Sequence, residues 1–458
     1  MRSFPRIALV VAFLLIATLL VVHTRSEGGL PAVYESTKFS KPTFSVPDWI
    51  KPSSSSKEEV VPQEEKTTPT TPLEKPTQKT DHLDELSKID AADGPSLMNP
   101  SKGSGSTASK ETTEWKPEFA FQNDLKDPDP TRDFSAFASY PAHNYDPDSR
   151  PAYAYSTFMS TRNPSIHDPY FMAVESLIYR VLWSPKSKSK RYPFIAFVGD
   201  FVTEEQRDRL RGAGAIVRQL DPVPWNPNVE GIQHRWMDLF AKLNMWNQTD
   251  FQRIIFLDAD AFPITNIDEM FELAPLQDCK PELLTKDDYF PDGKNSCSGD
   301  ASQYIFAGIP HNPENLTHPN INVGSMVITP SVTMHRRLLE NYQKYDRYDV
   351  HMAEQAFLNW MFAPDSAFPV TQLERKWGAF FPQPDEQGKL NVVHEKLWMN
   401  IWNDADQTEH KWLRNLWGDE WKAMVKFYDS EEFVKQRMAD KAGKSTSIFG
   451  IGRPPFGA

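Results

Sequence analysis

Two aspartates, Asp258 and Asp260, stand two residues apart where the apolar run Arg253-Ile-Ile-Phe-Leu ends. If the backbone turns there, both carboxylates can converge on one hard cation, and oxygen ligands suit Mn²⁺ or Mg²⁺. A cation so held would neutralise a pyrophosphate and stabilise it as a leaving group. That is the chemistry of group transfer from a nucleotide-diphosphate donor. A solvated turn or a helix cap also carries acidic pairs of this kind, so the neighbouring segments decide between the readings.

Downstream, Asn320-Ile-Asn322-Val-Gly324 leads into the apolar stretch from Ser325 to Thr329. Glu354 and Gln355 fall in a helix expected over His351 to Met361, and Val392-Val393-His394 ends another strand-like run. Neutral imidazole readily joins two carboxylates on Mn²⁺, which makes His394 a candidate third ligand; taken alone, it reads as a structural histidine.

The elements that must position these residues alternate. Ala152 to Phe158 reads as a first strand, and Asp168 followed by Pro169 is an N-cap and N1 pair for a helix with Phe171, Val174, Leu177, Ile178 and Val181 on one face. Tyr192 to Val198 reads as a buried strand. Thr203 and Gln206 form a capping box for a charged helix that stops at Gly212 and Gly214, and Ala215 to Leu220 resumes as strand. Trp236 to Trp246 is expected as an amphipathic helix with Met237, Phe240, Leu243 and Trp246 inside, ahead of the strand Arg253 to Leu257. Alternation of this kind predicts an α/β fold, a mostly parallel sheet with helices on both faces, whose ligands gather outside the carboxyl ends of the strands.

The rest of the chain sets limits. A formal net charge of -12 excludes a general affinity for nucleic-acid phosphates, and Lys186 to Arg191 is a short basic run read as a solvated loop. The two cysteines, Cys279 and Cys297, rule out a Cys-based zinc site and are expected to form one disulfide in an oxidising compartment. Residues 1–6 read as a cytosolic tail and 7–22 as an uncleaved signal-anchor, because Val21-Val22-His23-Thr24-Arg25 lacks the small residues of a cleavage site. Residues 23–147, rich in Pro, Ser and Thr, read as a flexible luminal stem, 148–440 as the catalytic domain and 441–458 as a disordered tail. Asn247-Gln-Thr249 and Asn315-Leu-Thr317 are glycosylation sequons if this part is luminal, and the tryptophans at 398, 402, 412, 417 and 421 read mainly as core.

Residues from about Tyr153 to Trp398 resemble retaining glycosyltransferases of family eight, the group containing glycogenin and galactinol synthase, and particularly its Golgi N-acetylglucosaminyltransferase branch. The resemblance implies a GT-A type fold, a Mn²⁺ or Mg²⁺ cofactor, and a UDP-sugar donor. It places metal and nucleotide at Asp258 and Asp260, with His394 as the late metal-binding histidine. Lys242, in Phe240-Ala241-Lys242-Leu243, would contact the donor sugar, and Asn322 and Gly324 would line the sugar pocket, with Val323 where the family has Ser. Glu354-Gln355 resembles the family's Asp-Gln pair with the carboxylate one methylene further out, and Lys396 would reach the diphosphate. Tyr153 and Tyr155 on the first strand would sit under the uracil. These implications describe a Golgi, single-pass type II transferase of GlcNAc or glucose to a glycan acceptor. Two other readings compete: a haloacid-dehalogenase-like phosphatase, which would carry Thr or Val where Phe262 stands and its motif on the first strand, and a non-catalytic sugar-binding relative, which would have lost its metal ligands.

Overall fold

Side chains on a strand alternate between faces, so an apolar strand of a covered sheet contributes to two cores at once. The computed structural model describes residues 115–148, 152–311, 318–399 and 410–443, and its central sheet is built from such strands. In chain order they are β1 (Tyr153–Met159), β2 (Phe194–Val198), β3 (Ile216–Gln219) and β4 (Arg253–Leu257). The short β5 (Ala261–Pro263), β6 (Gln277–Asp278) and β7 (Gln303–Tyr304) follow, then β8 (Phe306–Pro310), β9 (Ile321–Ile328), β10 (Thr371–Gln372), β11 (Ala379–Phe380) and β12 (Val392–His394). The seven-stranded sheet has the order β10-β8-β9-β4-β1-β2-β3. Pairing is parallel from β4 through β1 and β2 to β3, whereas β9 runs against both β4 and β8. This is the mostly parallel α/β sheet expected from the sequence.

One face carries Ala154, Phe158, Ile195, Phe197, Ile254, Phe256, Met326 and Ile328, and these join Phe240, Leu243, Trp246 and Phe357 in one core. Helix α1 (Pro169–Leu182) packs on β1 and β2 from the other side. Its N-cap Asp168 accepts the Phe171 N–H at 2.7 Å, and burial pushes that carboxyl up to about 7 against the hydrogen bonds it accepts. The capping box at α2 (Glu204–Gly212) forms in both directions between Thr203 and Gln206. Short α3 (Met270–Leu273), then α4 (Val332–Leu339) and α5 (Ala353–Met361), follow, and two C-terminal helices, α6 (Lys411–Tyr428) and α7 (Glu431–Lys441), close the chain. Helix α6 packs on α1 and buries Trp412, Trp417 and Trp421, so these tryptophans are core, as expected.

Three local expectations change. The segment read as a helix from Trp236 is a 3₁₀-helix over Leu239–Asn247. Phe240, Leu243 and Trp246 are all buried, and their spacing of three matches the three-residue turn of a 3₁₀-helix as well as an α-helix stripe. The helix expected from His351 starts as a 3₁₀ turn over Val350–Met352, and α5 begins at Ala353, whose φ of 44° breaks the path. The stem expected to run to residue 147 does not extend through residues 115–147. There Phe119, Phe121 and Phe134 are buried, Phe134 meets Tyr428 and Phe433 at centroid distances of 4.8 and 5.9 Å, and His143 Nδ1 lies 3.0 Å from Asp440. Three spaced phenylalanines and His143 anchor a segment whose average composition is polar.

Cys279 and Cys297 are bonded to each other, with Cα atoms 5.5 Å apart, beside the β6–β7 ribbon. Asn247 is exposed at the end of its 3₁₀-helix, as a glycan acceptor must be. No helix among the described residues is long and apolar enough to cross a membrane. The expected anchor at 7–22, the stem to residue 114, the Asn315 sequon, Trp402 and the tail beyond residue 443 lie outside the described residues.

Candidate active site

The register of the sheet brings the site together. Ser156 pairs with Phe256 and Leu257 with Ser325, so β4 ends level with the middle of β1 and the middle of β9. Asp258 follows immediately and donates its N–H to the Gly324 carbonyl at 2.8 Å. Between Gly308 and Ile309 the pairing jumps from Met326 to Asn322, leaving Val323, Gly324 and Ser325 as a bulge against β8. Bulges re-aim strands beside functional sites, and this one brings Gly324 under Asp258. A Cβ at Gly324 would lie 2.2 Å from His394 Cε1 and 2.8 Å from Asp258 Oδ2. The glycine is required by this close approach. Asn322 turns back on its own strand, its Oδ1 accepting the Gly324 N–H at 2.8 Å.

His394 reaches the aspartates through a second, three-stranded sheet. Strand β12 pairs antiparallel with β5, setting His394 opposite Ala261, and the Glu395 N–H donates to the Asp260 carbonyl at 3.0 Å. Its Nε2 then lies 3.2 Å from Asp260 Oδ1 and 3.9 Å from Asp258 Oδ2. One ligand atom from each of Asp258, Asp260 and His394 falls within 4.8 Å of the other two. Two carboxylates and an imidazole form a mixed oxygen and nitrogen set that fits Mn²⁺, and His394 Nδ1 is buried without a hydrogen-bond partner. Asp258 is the open member, with 29% of its side chain exposed against 13% for Asp260 and 7% for His394.

Lys242 occupies the other side of Asp258. Its Nζ lies 2.9 Å from Asp258 Oδ1 and 2.8 Å from Glu354 Oε1, and its side chain is 3% exposed. The two oxygens of Asp258 are thus divided, one toward the lysine and one toward His394. Burial works against a charged Lys242, but the adjacent Asp258 and Glu354 outweigh it and hold the ammonium above its usual range. Burial would likewise raise Asp260, yet His394 first and Lys396 second hold its carboxyl well below the usual value. Desolvation disfavours protonated His394, and Asp260 more than compensates, so the imidazole is raised. Lys396 Nζ lies 3.9 Å from Asp260 Oδ2. Gln355 accepts the Val323 N–H at 3.2 Å through Oε1, and its Nε2 is 3.4 Å from His311 Nδ1.

The structure does not bring Tyr153 and Tyr155 to this site. Tyr153 pairs with Arg253 and Tyr155 with Ile255, which places them five and three residues before Asp258. At about 3.3 Å per residue they are roughly 16 and 10 Å short of the level of Asp258. Their rings pack with Phe271, and the Tyr155 hydroxyl donates to Asp268 at 2.6 Å. Aromatic residues on a first strand are common to a core and to a nucleotide platform; only the register separates the two.

Sequence reasoning missed three contributors. Phe121 comes from the segment read as stem, yet the Lys396 ammonium lies 5.1 Å from its ring centroid, and its carbonyl accepts the Trp398 indole N–H at 3.3 Å. Phe380 and His311 also stand at the site's edge. Aromatic residues in a Pro-rich stretch were the available signal for Phe121. Nothing in the sequence pointed to the other two.

No protein-family profile matches this chain. It is 26% identical over 304 residues to an uncharacterized protein of Schizosaccharomyces pombe, covering 60% of this chain and 79% of that one. It is 28% identical over 255 residues to galactinol synthase 4 of Arabidopsis thaliana, covering 50% of this chain and 71% of the synthase. Among solved structures, the glycosyltransferase GlyE of Streptococcus pneumoniae aligns over 62% of this chain and 65% of its own, at 14% identity and a TM-score of 0.35. Mouse xyloside xylosyltransferase 1 aligns over 53% and 97%, at 15% identity and a TM-score of 0.33. Over about half its length, then, the chain is similar in sequence to glycosyltransferases of the galactinol synthase group.

Proposed function

We propose that this chain is a metal-dependent glycosyltransferase that moves a sugar from a UDP-sugar to a hydroxylated acceptor with retention of anomeric configuration. The observation that carries the reading is the convergence of Asp258, Asp260 and His394 at the carboxyl end of the central strand. Asp258, Asp260 and His394 would hold Mn²⁺, and the ion when bound supplies the charge that stabilises a departing diphosphate. Lys396, beside Asp260, is placed to receive the same charge. Lys242 holds Asp258 and Glu354 in fixed positions, so donor alignment rests on a preformed ionic frame rather than on a strong base. Glu354 spends its carboxylate on Lys242; the extra methylene relative to an Asp gives it that reach.

GlcNAc and glucose are the donor sugars this reading favours. The bonded cysteine pair and exposed Asn247 support an oxidising, luminal setting, and the apolar run at 7–22 supports a Golgi type II anchor.

The test is UDP release by the purified chain offered UDP-GlcNAc, UDP-glucose and UDP-galactose, with Mn²⁺ or with EDTA. Metal-dependent release from one donor, absent in Asp260→Ala, is the expected result. Phosphate liberated from simple esters with no UDP release from any donor would replace the reading with a phosphatase.

A further inference from the structure

Beside the metal ligands lies an aromatic pair whose backbone is held in a strained conformation. Phe380, the last residue of β11, pairs with His394 in the three-stranded sheet, and their ring centroids are 5.2 Å apart. The His311 ring lies nearly parallel to that of Phe380 at 6.1 Å, and His311 is the partner of Gln355. Phe381 follows with a φ of 50° and its ring centroid 4.0 Å from that of Phe380. A bulky residue at positive φ is uncommon, and strain of this kind persists where the surroundings impose it.

The imposing group is Arg375. It donates to the Phe380 carbonyl at 2.9 Å and the Phe381 carbonyl at 3.1 Å while its other N–H groups engage Glu386 at 2.7 and 2.9 Å. Gln383 adds a bond to the Phe381 carbonyl at 2.8 Å. Both phenylalanines remain partly exposed, so this scaffold does not serve to bury them. Burial, and the neighbouring His318, hold His311 below its usual range, leaving a neutral ring that can exchange hydrogen bonds with a hydroxyl.

We propose that Phe380 and Phe381 form a stacking platform for the acceptor, a pyranose whose apolar face lies on the rings and whose hydroxyls meet His311 and Gln355. The proposal rests on the glycosyltransferase reading and deepens it. A sugar ring offers a C–H face to an aromatic side chain and a polar rim to amides and imidazoles, and both partners are present here at one side of the metal ligands.

Saturation-transfer NMR on the full chain with Mn²⁺ and UDP, using methyl β-D-glucopyranoside, methyl β-D-galactopyranoside and methyl α-D-mannopyranoside, tests it. At least one glycoside should give ring-proton signals that fall fivefold or more in Phe380→Ala and return in Phe380→Trp. The loss should fall on the glycoside rather than on UDP, whose binding is followed by calorimetry. Thermal unfolding of Phe380→Trp checks that the fold survives. No signal from any of the three glycosides, or an undiminished signal in Phe380→Ala, overturns the platform. A chain that fails to bind UDP defeats the nucleotide-sugar reading separately, whatever the glycosides do.

Discussion

The two ends of the same strands, β1 and β4, have opposite characters. At the amino end Tyr153, Tyr155, Tyr192 and Phe271 pack ring against ring, with centroids 4.7 to 5.7 Å apart where they meet most closely. The buried hydroxyl there is bonded to Asp268. At the carboxyl end three carboxylates, two lysines and a histidine crowd within ion-pair distance. Like charges so placed repel, and taking them out of water costs several kcal/mol per ion unless cations are interleaved. The first end is a finished core. The second retains ligand capacity its own neighbours do not use, including the buried Nδ1 of His394 and Oε2 of Glu395. That difference marks the candidate site more reliably than the resemblance that set Tyr153 and Tyr155 under a uracil.

The contrast is broken most severely by removing a carboxylate at the charged end. Asp260→Ala should lower metal-dependent UDP release by about 10³-fold or more, because the stabilisation of the leaving group goes with it, while far-UV circular dichroism is retained. Residual activity within tenfold of wild type would show that the cluster is merely structural.

A buried carboxylate without a cation in ion-pair contact sharpens the comparison. Among the described residues Glu175 on α1 accepts only the Thr131 hydroxyl, at 2.8 Å, and burial pushes it up to about 7 from an ordinary 4.5. The native state then binds more protons than the unfolded chain between those values, so stability falls as pH rises from about 4.5 through about 7. A difference of one pH unit between folded and unfolded titration is worth roughly 1.4 kcal/mol, which makes the whole loss across this window about 3 kcal/mol. Denaturant unfolding of wild type and Glu175→Gln across the same window should show the slope reduced in the variant. Equal slopes would mean Glu175 is charged in the native state.

Gly324→Ala forces a methyl into His394 and Asp258. Displacing ligands by about 1 Å should lower turnover roughly 10²-fold, with Mn²⁺ affinity weakened in parallel; an unaffected affinity would mean that the bulge can yield. The smallest effect belongs to the amino end. Tyr155→Phe removes one hydrogen bond and should cost about 1 kcal/mol of stability, with UDP affinity by calorimetry unchanged. A tenfold loss of UDP binding would reinstate β1 as the nucleotide floor.

Much of the fold is legible in local pattern. The β4 boundaries, the α1 N-cap and the α2 capping box follow from it, because the hydrogen bonds that make them close within a few residues. Asp258 and Asp260 were visible through their context, the apolar strand they end and the segments downstream, because an acidic pair by itself is as often a solvated turn or a helix cap. Phe121 was hidden because its contacts with Lys396 and Trp398 span more than 270 positions of chain, and composition averages such a residue into its polar neighbours.

By itself the sequence determined the alternating strands and helices, the residue types of the candidate metal site and the disulfide partners, since each depends on residue chemistry and short spacing. Tertiary structure alone decided which end of β1 faces the aspartates, that Lys242 divides its charge between Asp258 and Glu354, and that Gly324 must have no side chain. Those outcomes rest on strand register and on the approach of segments remote in sequence, and a one-residue slip in register would turn every side chain of a strand to its other face without altering a single local preference.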